Sequence, residues 1–251
     1  MRIDRPGTDS LPALRGLWKA AFGDSDEFLD CFFAAAFSPD RCRCLWIEDK
    51  LAAGLYWFDI SCRGESMAYL YAVATDPGFR NRGLCRRLMA DTHRQLRSLG
   101  YAGAVLVPEG EALFRMYAGM GYKPCGTVSE FACVAGDPVP LRPICREEYA
   151  RLRRQFLPEG GVVQEGENLK FLETFGSFYA GPDFLLAARQ EGDALMGPEL
   201  LGDTAAAPGI LGALGLARGS FRCPGDEIPF AMFLPLKDGV ESPAYFGLAF
   251  D

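Results

Sequence analysis

Residues 69–87, Tyr-Leu-Tyr-Ala-Val-Ala-Thr-Asp-Pro-Gly-Phe-Arg-Asn-Arg-Gly-Leu-Cys-Arg-Arg, constrain the fold more than any other stretch of this chain. A run of aromatic, β-branched and small residues stops at Asp76-Pro77-Gly78, which cannot continue a strand. An arginine-rich loop containing Gly83 follows. The row Leu84, Leu88, Leu96 and Leu99 then predicts a helix with a buried leucine stripe, ended by Gly100. The first N–H groups of a helix have no partner within it, and the aligned peptide dipoles place partial positive charge there. Arg80, Arg82, Arg86 and Arg87 add full charges, with no acid between them. Such a strand, loop and helix form a pocket for a small polyanion.

The surrounding pattern alternates strands and helices. A strand near residues 2–5 precedes a helix over 11–22. A second helix, capped by Asp24 or Ser25, runs to about residue 37. Residues 42–48 and 51–61 read as a hairpin turning at Asp49-Lys50. Residues 67–75 are apolar on both faces and belong in the middle of a sheet. A buried strand over 102–107 is stopped by Pro108, a helix follows from Glu109 to Met120, and residues 122–135 close the half.

Gly136-Asp137-Pro138 marks the boundary, after which the order partly repeats. Arg142-Pro143 echoes Arg5-Pro6. Helices are expected over 147–156 and 168–179, strands over 184–189 and 195–201, a helix over 204–216, and strands over 229–236 and 244–250. The reading is a first domain over 1–135 and a smaller, degenerate duplicate over 136–251. The corresponding helix start, Gly202-Asp203-Thr204-Ala205, has no arginine and carries an acid, so a second phosphate site is not expected.

Composition narrows the classes. Hydrophobic residues make up 49% and charged residues 24%, as in an ordinary soluble globular protein. No apolar run approaches the roughly 20 residues of a bilayer span, and the first residues lack a secretory leader. The net charge of −7 falls in the second half, where 10 Lys/Arg face 17 Asp/Glu, against 16 and 16 over residues 1–135. That acidity argues against nucleic acid and suits a cationic acceptor. Nine cysteines without a Cys-x-x-Cys pair, and a single histidine, point away from zinc sites and disulfide frameworks and toward a reducing cytoplasm. Cys42 and Cys44 share one face of a strand as small buried hydrophobes. His93 is expected mid-helix and exposed beside Arg94 and Arg97; with no second histidine, Ser-His and Cys-His triads are not available.

Arg80-Asn81-Arg82-Gly83-Leu84-Cys85 resembles the Arg/Gln-x-x-Gly-x-Gly/Ala loop of the GNAT superfamily of N-acetyltransferases, with Cys85 in place of the last small residue. Leu113-Phe114-Arg115-Met116-Tyr117-Ala118-Gly119-Met120-Gly121-Tyr122 resembles the family's Phe-Tyr-x-x-x-Gly-Phe-type segment. The tandem arrangement is similar to acetyltransferases of the enhanced-intracellular-survival type and to mycothiol synthase. In those a second GNAT-like unit helps to shape the acceptor site.

The resemblance implies an α/β (α+β) fold, with a mixed twisted sheet flanked by helices, and acetyl-CoA as cofactor. It implies that the pantetheine arm takes backbone hydrogen bonds from Val73, Ala74 and Thr75, one N–H facing the thioester oxygen. The pyrophosphate is then held by the N–H groups of Asn81, Arg82, Gly83, Leu84, Cys85 and Arg86, with Arg80 at the head of the loop. Tyr117 matches the general acid, since a phenol is protonated at neutral pH and close enough in acidity to protonate a thiolate. Glu109, Glu111 and the terminal carboxylate at Asp251 are alternative bases; the two glutamates also suit a first helical turn. Tyr122 is assigned to packing. The expected activity is acetyl transfer to a primary amine of a small molecule or peptide. A non-catalytic acyl-CoA-binding sensor is the alternative, and a homo-oligomer is compatible with either.

Overall fold

From the amino terminus, strand β1 (Arg2–Asp4) leads into helices α1 (Leu11–Phe22) and α2 (Asp26–Ala35). Gly23, at φ 78°, closes α1 in the left-handed conformation that glycine adopts without cost. Of the two candidate caps, Ser25 does the capping: its Oγ accepts from the Phe28 N–H at 3.2 Å. Asp24 instead accepts from Trp18 Nε1 at 2.7 Å.

Strands β2 (Cys42–Ile47), β3 (Lys50–Cys62) and β4 (Glu65–Thr75) form an antiparallel meander. Ile47 pairs with Lys50, so the first turn is Glu48-Asp49, one residue earlier than expected. The second turn is Arg63-Gly64, with φ of 50° and 80°, the double left-handed geometry that matches strand twist.

Helix α3 (Leu84–Ser98), strand β5 (Gly103–Leu106) and helix α4 (Gly110–Ala118) follow, β5 running parallel to β4. Helices α1 and α2 cover one face of this sheet. There Trp18 and Phe32 meet Tyr56, and the side chains of Leu14 and Leu17 lie where a Cβ on Gly54 would point. Helix α3 covers the other, where Arg43 pairs with Asp91.

Two expectations about α3 are corrected. Leu99 follows the last helical turn and is 54% exposed, so the buried stripe is Leu84, Leu88, Met89, Thr92, His93 and Leu96. His93 is buried, because its position lies on that stripe.

The remaining strands are β6 (Lys123–Val134), β7 (Arg142–Ile144), β8 (Val163–Gln164), β9 (Ser177–Ala180), β10 (Phe184–Glu191), β11 (Ala194–Gly202), β12 (Arg218–Pro224) and β13 (Ile228–Pro235). The helices are α5 (Arg146–Phe156), α6 (Glu167–Glu173) and α7 (Ala207–Leu214). The helix expected over 168–179 is therefore the short α6 followed by β9. Strand β12 was not foreseen. Residues 244–250 do not form a strand: Tyr245 makes one isolated bridge to Gly161, and the Gln164 side chain bonds both the N–H and the carbonyl of Leu248.

Two compact units emerge. The first comprises residues 1–123 with 233–241, the second 124–232 with 242–251. The structure describes residues 1–250, and the expectation placed on Asp251 lies outside the described residues. In the first unit the strand order is β1-β2-β3-β4-β5, and the end of β13 follows beside β5. In the second it is β13-β6-β12-β11-β10-β9-β7.

Within the second unit, β7, β9, β10 and β11 pair antiparallel and β12 joins β11 in parallel. The first unit shows the same succession of senses in β1 to β5. The second core gathers Phe184, Leu186, Leu200, Ile210, Leu211 and Phe221. No helix among the described residues is long and apolar enough to cross a membrane.

Candidate functional site

Strand β4 carries one residue more than its partner β3 can match. Tyr71 pairs with Tyr56 and Ala74 with Gly54, and the extra residue falls at Ala72, whose φ is 48°. A bulge of this kind bends the strand. Left-handed backbone costs a residue with a Cβ about 1–2 kcal/mol, a strain held only by its surroundings.

Strand β5 pairs with β4 only at Met67, Ala68 and Tyr69, before the bulge. Beyond it the strands part, and Tyr71, Ala72 and Val73 are half-buried although β4 lies inside the sheet. The Asp76 N–H donates to the Ala52 carbonyl at 2.9 Å. By alternation, the backbone of Ala74 is turned to Gly54, and those of Val73 and Thr75 face the gap. The Thr75 carbonyl accepts from Arg80 Nε at 3.2 Å.

The loop after β4 is held open by backbone geometry. Asp76 Oδ1 accepts from the Gly78 N–H at 2.8 Å, setting the turn over Pro77–Phe79. Asn81 and Gly83, with φ of 62° and 69°, flank Arg82. Left-handed residues interleaved with ordinary ones direct successive N–H groups to one side and make an anion-binding concavity. Gly83 is the N-cap of α3 and no side chain caps this helix, unlike α2. A Cβ on Gly83 would meet no atom within 4 Å, so it would project into open space.

The arginines are tethered by backbone carbonyls. Arg82 Nη2 donates to Gly78 at 3.2 Å, with its guanidinium 5.3 Å from the Phe79 ring centre. Arg86 Nη1 donates to Gly119 at 2.8 Å. Among the described residues no carboxylate pairs with Arg80, Arg82, Arg86 or Arg87, so their charge is available to a ligand. Leu84 is buried in the helix stripe. Cys85 is half-buried, and burial pushes its thiol up to about 11, partly offset by Arg86. It is a protonated, inert thiol at neutral pH.

Tyr117, on the last turns of α4, is buried against Tyr122, edge-on at 5.8 Å. Burial raises its phenol well above the usual range, and Cys85 adds to the shift. The proton therefore stays on Tyr117 at neutral pH. Tyr122 Oη lies 2.8 Å from His93 Nε2, a buried contact that composition alone could not reveal. Burial, helped by Arg97, pushes His93 down to about 4, so the ring is neutral. Glu109 is exposed at the N-cap of α4. Glu111 is also exposed and pairs with Arg115 at 3.0 Å.

The family model of the acetyltransferase (GNAT) domain matches residues 2–125, the segment that carries the bulge, the loop and Tyr117. Residues 2–125 belong to the GNAT acetyltransferase family. The fold extends the likeness beyond them. A GCN5-related N-acetyltransferase from Kribbella flavida is 18% identical, with 92% of this chain and 70% of that chain covered at a TM-score of 0.73. Eis1 from Mycobacterium abscessus is 12% identical, with 94% and 74% covered at 0.67. A GCN5-related N-acetyltransferase from Sphaerobacter thermophilus is 12% identical, with 97% and 98% covered at 0.57. No protein of curated function matches the sequence.

The family's acyl donor is acetyl-CoA, and the GNAT domain built here suits it. An uncapped helix start with a left-handed loop suits a diphosphate. Strand backbone turned into a gap suits an amide-bearing arm, which pairs as a strand would.

Proposed function

We propose that this acetyltransferase moves the acetyl group of acetyl-CoA to a primary amine, with both substrates held at once on the first unit. The observation that carries the reading is the uncapped start of α3 at Gly83, lying at the end of a strand whose pairing with β5 stops at Tyr69. When bound, acetyl-CoA supplies the acetyl group as a thioester.

The N–H groups of Asn81, Arg82, Gly83, Leu84, Cys85 and Arg86 hold the diphosphate, and Arg80, tied to Thr75, fixes the loop against β4. Val73 and Thr75 offer backbone groups to the pantetheine arm. Ala74 keeps the strand paired to β3 and so holds its neighbours in place. Tyr117 keeps its proton in a buried setting and donates it to the departing thiolate. For the base, Glu109 is the candidate, exposed enough to pass the proton on to water. The second unit, whose Asp203 Oδ1 accepts from the Ala205 N–H at 2.9 Å, already supplies an anion at the corresponding helix start. It is read as a degenerate copy without a cofactor site.

Release of free thiol from acetyl-CoA, followed as pools of small amines and peptides are added, tests the proposal. Thiol release that needs both partners is the expected result. Acetyl-CoA binding by calorimetry without any thiol release would instead make the chain a sensor or scaffold.

A further inference from the structure

The gap beside β4 opens toward two sheet faces of different chemistry. On one, α3 and α4 bring Tyr117, Cys85 and the leucine stripe. The other is covered by α1 and α2 and carries a cluster of aromatic rings. Phe33 on α2 and Phe37, just past its end, have ring centres 5.0 Å from each other and 6.3 and 6.0 Å from that of Tyr56. Tyr71 pairs across the sheet with Tyr56 and lies 5.6 Å from Trp18. Trp18 and Tyr56 are buried, whereas Phe33, Phe37 and Tyr71 keep part of their surface open.

Tyr71 immediately precedes the bulged Ala72, at the point where β4 has left β5. The open edge of the aromatic bed therefore borders the gap itself. The cations beside it are already matched: Arg15, 5.6 Å from the Phe33 ring centre, pairs with Asp26 and Asp30, and Lys19 pairs with Asp26. Paired charges in water attract a further ion weakly. Ring faces, by contrast, take up flat or branched apolar groups through buried area and edge-to-face contact.

We propose that this bed is the acceptor subsite, and that it takes a primary amine borne on an aryl or branched-alkyl group. The inference rests on the acetyl-transfer reading above and narrows its acceptor. An amine on a hydroxylated or polycationic frame would have to shed hydration against rings that return few hydrogen bonds.

Four probes test it on the full chain with saturating acetyl-CoA: 2-phenylethylamine, isoamylamine, ethanolamine and spermidine. The expected kcat/KM for 2-phenylethylamine and isoamylamine is at least tenfold above that for ethanolamine and spermidine. In Tyr71→Ser and Phe33→Ser the ratio of 2-phenylethylamine to ethanolamine falls toward one. Calorimetry of the same amines against the chain saturated with CoA gives the same order without turnover, and decides the matter if a variant misfolds. A preference for ethanolamine or spermidine, in rate or in binding, overturns the inference and leaves acetyl transfer standing. Failure of acetyl-CoA itself to bind overturns the acetyl-transfer reading and this inference with it.

Discussion

At Gly83 two demands meet, a left-handed φ and an open approach to the start of α3. Gly83→Glu sets a carboxylate where an anion is to bind and strains the backbone by about 1–2 kcal/mol. Acetyl-CoA affinity should fall more than tenfold by calorimetry while the circular dichroism of the fold persists; unchanged affinity would move the phosphate site elsewhere. Tyr117→Phe removes the buried phenol hydroxyl and keeps its ring packing on Tyr122. Its turnover should drop by roughly 100-fold or more, the usual range for a lost general acid, with acetyl-CoA affinity within twofold of the parent. A variant as fast as the parent would return Tyr117 to a packing role. His93 gives a pH signature with a definite sign. Its folded value of about 4 lies below the ordinary 6.5, so the unfolded chain takes up the proton first as pH falls. Its contribution is complete above pH 6.5 and is lost progressively toward pH 4, on the order of 3 kcal/mol in all. Melting midpoints should decline across that window in the parent and decline less in His93→Gln, which keeps a polar side chain next to Tyr122.

Among the elements, β4 and β11 occupy corresponding places in the two strand orders and do different work. In β4 the bulge at Ala72 and the alternation after it turn the backbone of Val73 and Thr75 away from β3, where the pairing with β5 has ended. In β11 Glu199 is fully buried, with Oε2 accepting from Tyr149 and Arg153 Nε at 2.7 and 2.6 Å. Its Oε1 accepts from Arg153 Nη2 and Tyr245 at 2.8 and 3.1 Å. A Cβ on Gly247 would lie 1.9 Å from that oxygen, so the chain near its end is packed directly on the carboxylate. Every strong acceptor direction is taken, which makes Glu199 a latch for the segment around Tyr245. Glu199→Gln leaves the Arg153 charge buried without its partner. Stability should fall by about 3–5 kcal/mol, the range for a broken buried pair, read as a lowered denaturant midpoint.

For the whole molecule, the decisive fact is that two units share one succession of strands but not one set of chemistry. The start of α3 is uncapped and flanked by arginines; the turn leading to α7 is closed by Asp203. Calorimetry should therefore give one acetyl-CoA bound per chain, and a stoichiometry of two would refute the degenerate-copy reading. The units are also not simple halves. Phe233 lies so close to Gly103 that a Cβ there would come within 2.2 Å of its ring, and the Ala102 carbonyl accepts from the N–H groups of Leu236 and Lys237. Residues 233–241 thus complete the first sheet from far along the chain.

Local signals were legible from the residues alone. Apolar spacing and caps placed α1, α3 and α4, and the Asp-Pro-Gly stop with its arginines marked the loop, because helix and turn preferences act over a few neighbours. What depends on distant partners was not legible. The bulge that separates Val73 and Thr75 from Ala74 arises from register with β3. The hydrogen-bond partner of buried His93 is Tyr122, 29 positions away. Residues 168–179 divide between α6 and β9 because Phe178 pairs into a sheet and stacks on Tyr149 at 4.4 Å, which overrides a short helical pattern. By itself the sequence marked the arginine-rich loop ahead of α3 that is proposed to hold a diphosphate. Only the tertiary structure decided which strand groups face it and which aromatic face borders the gap, since pairing and burial are long-range properties.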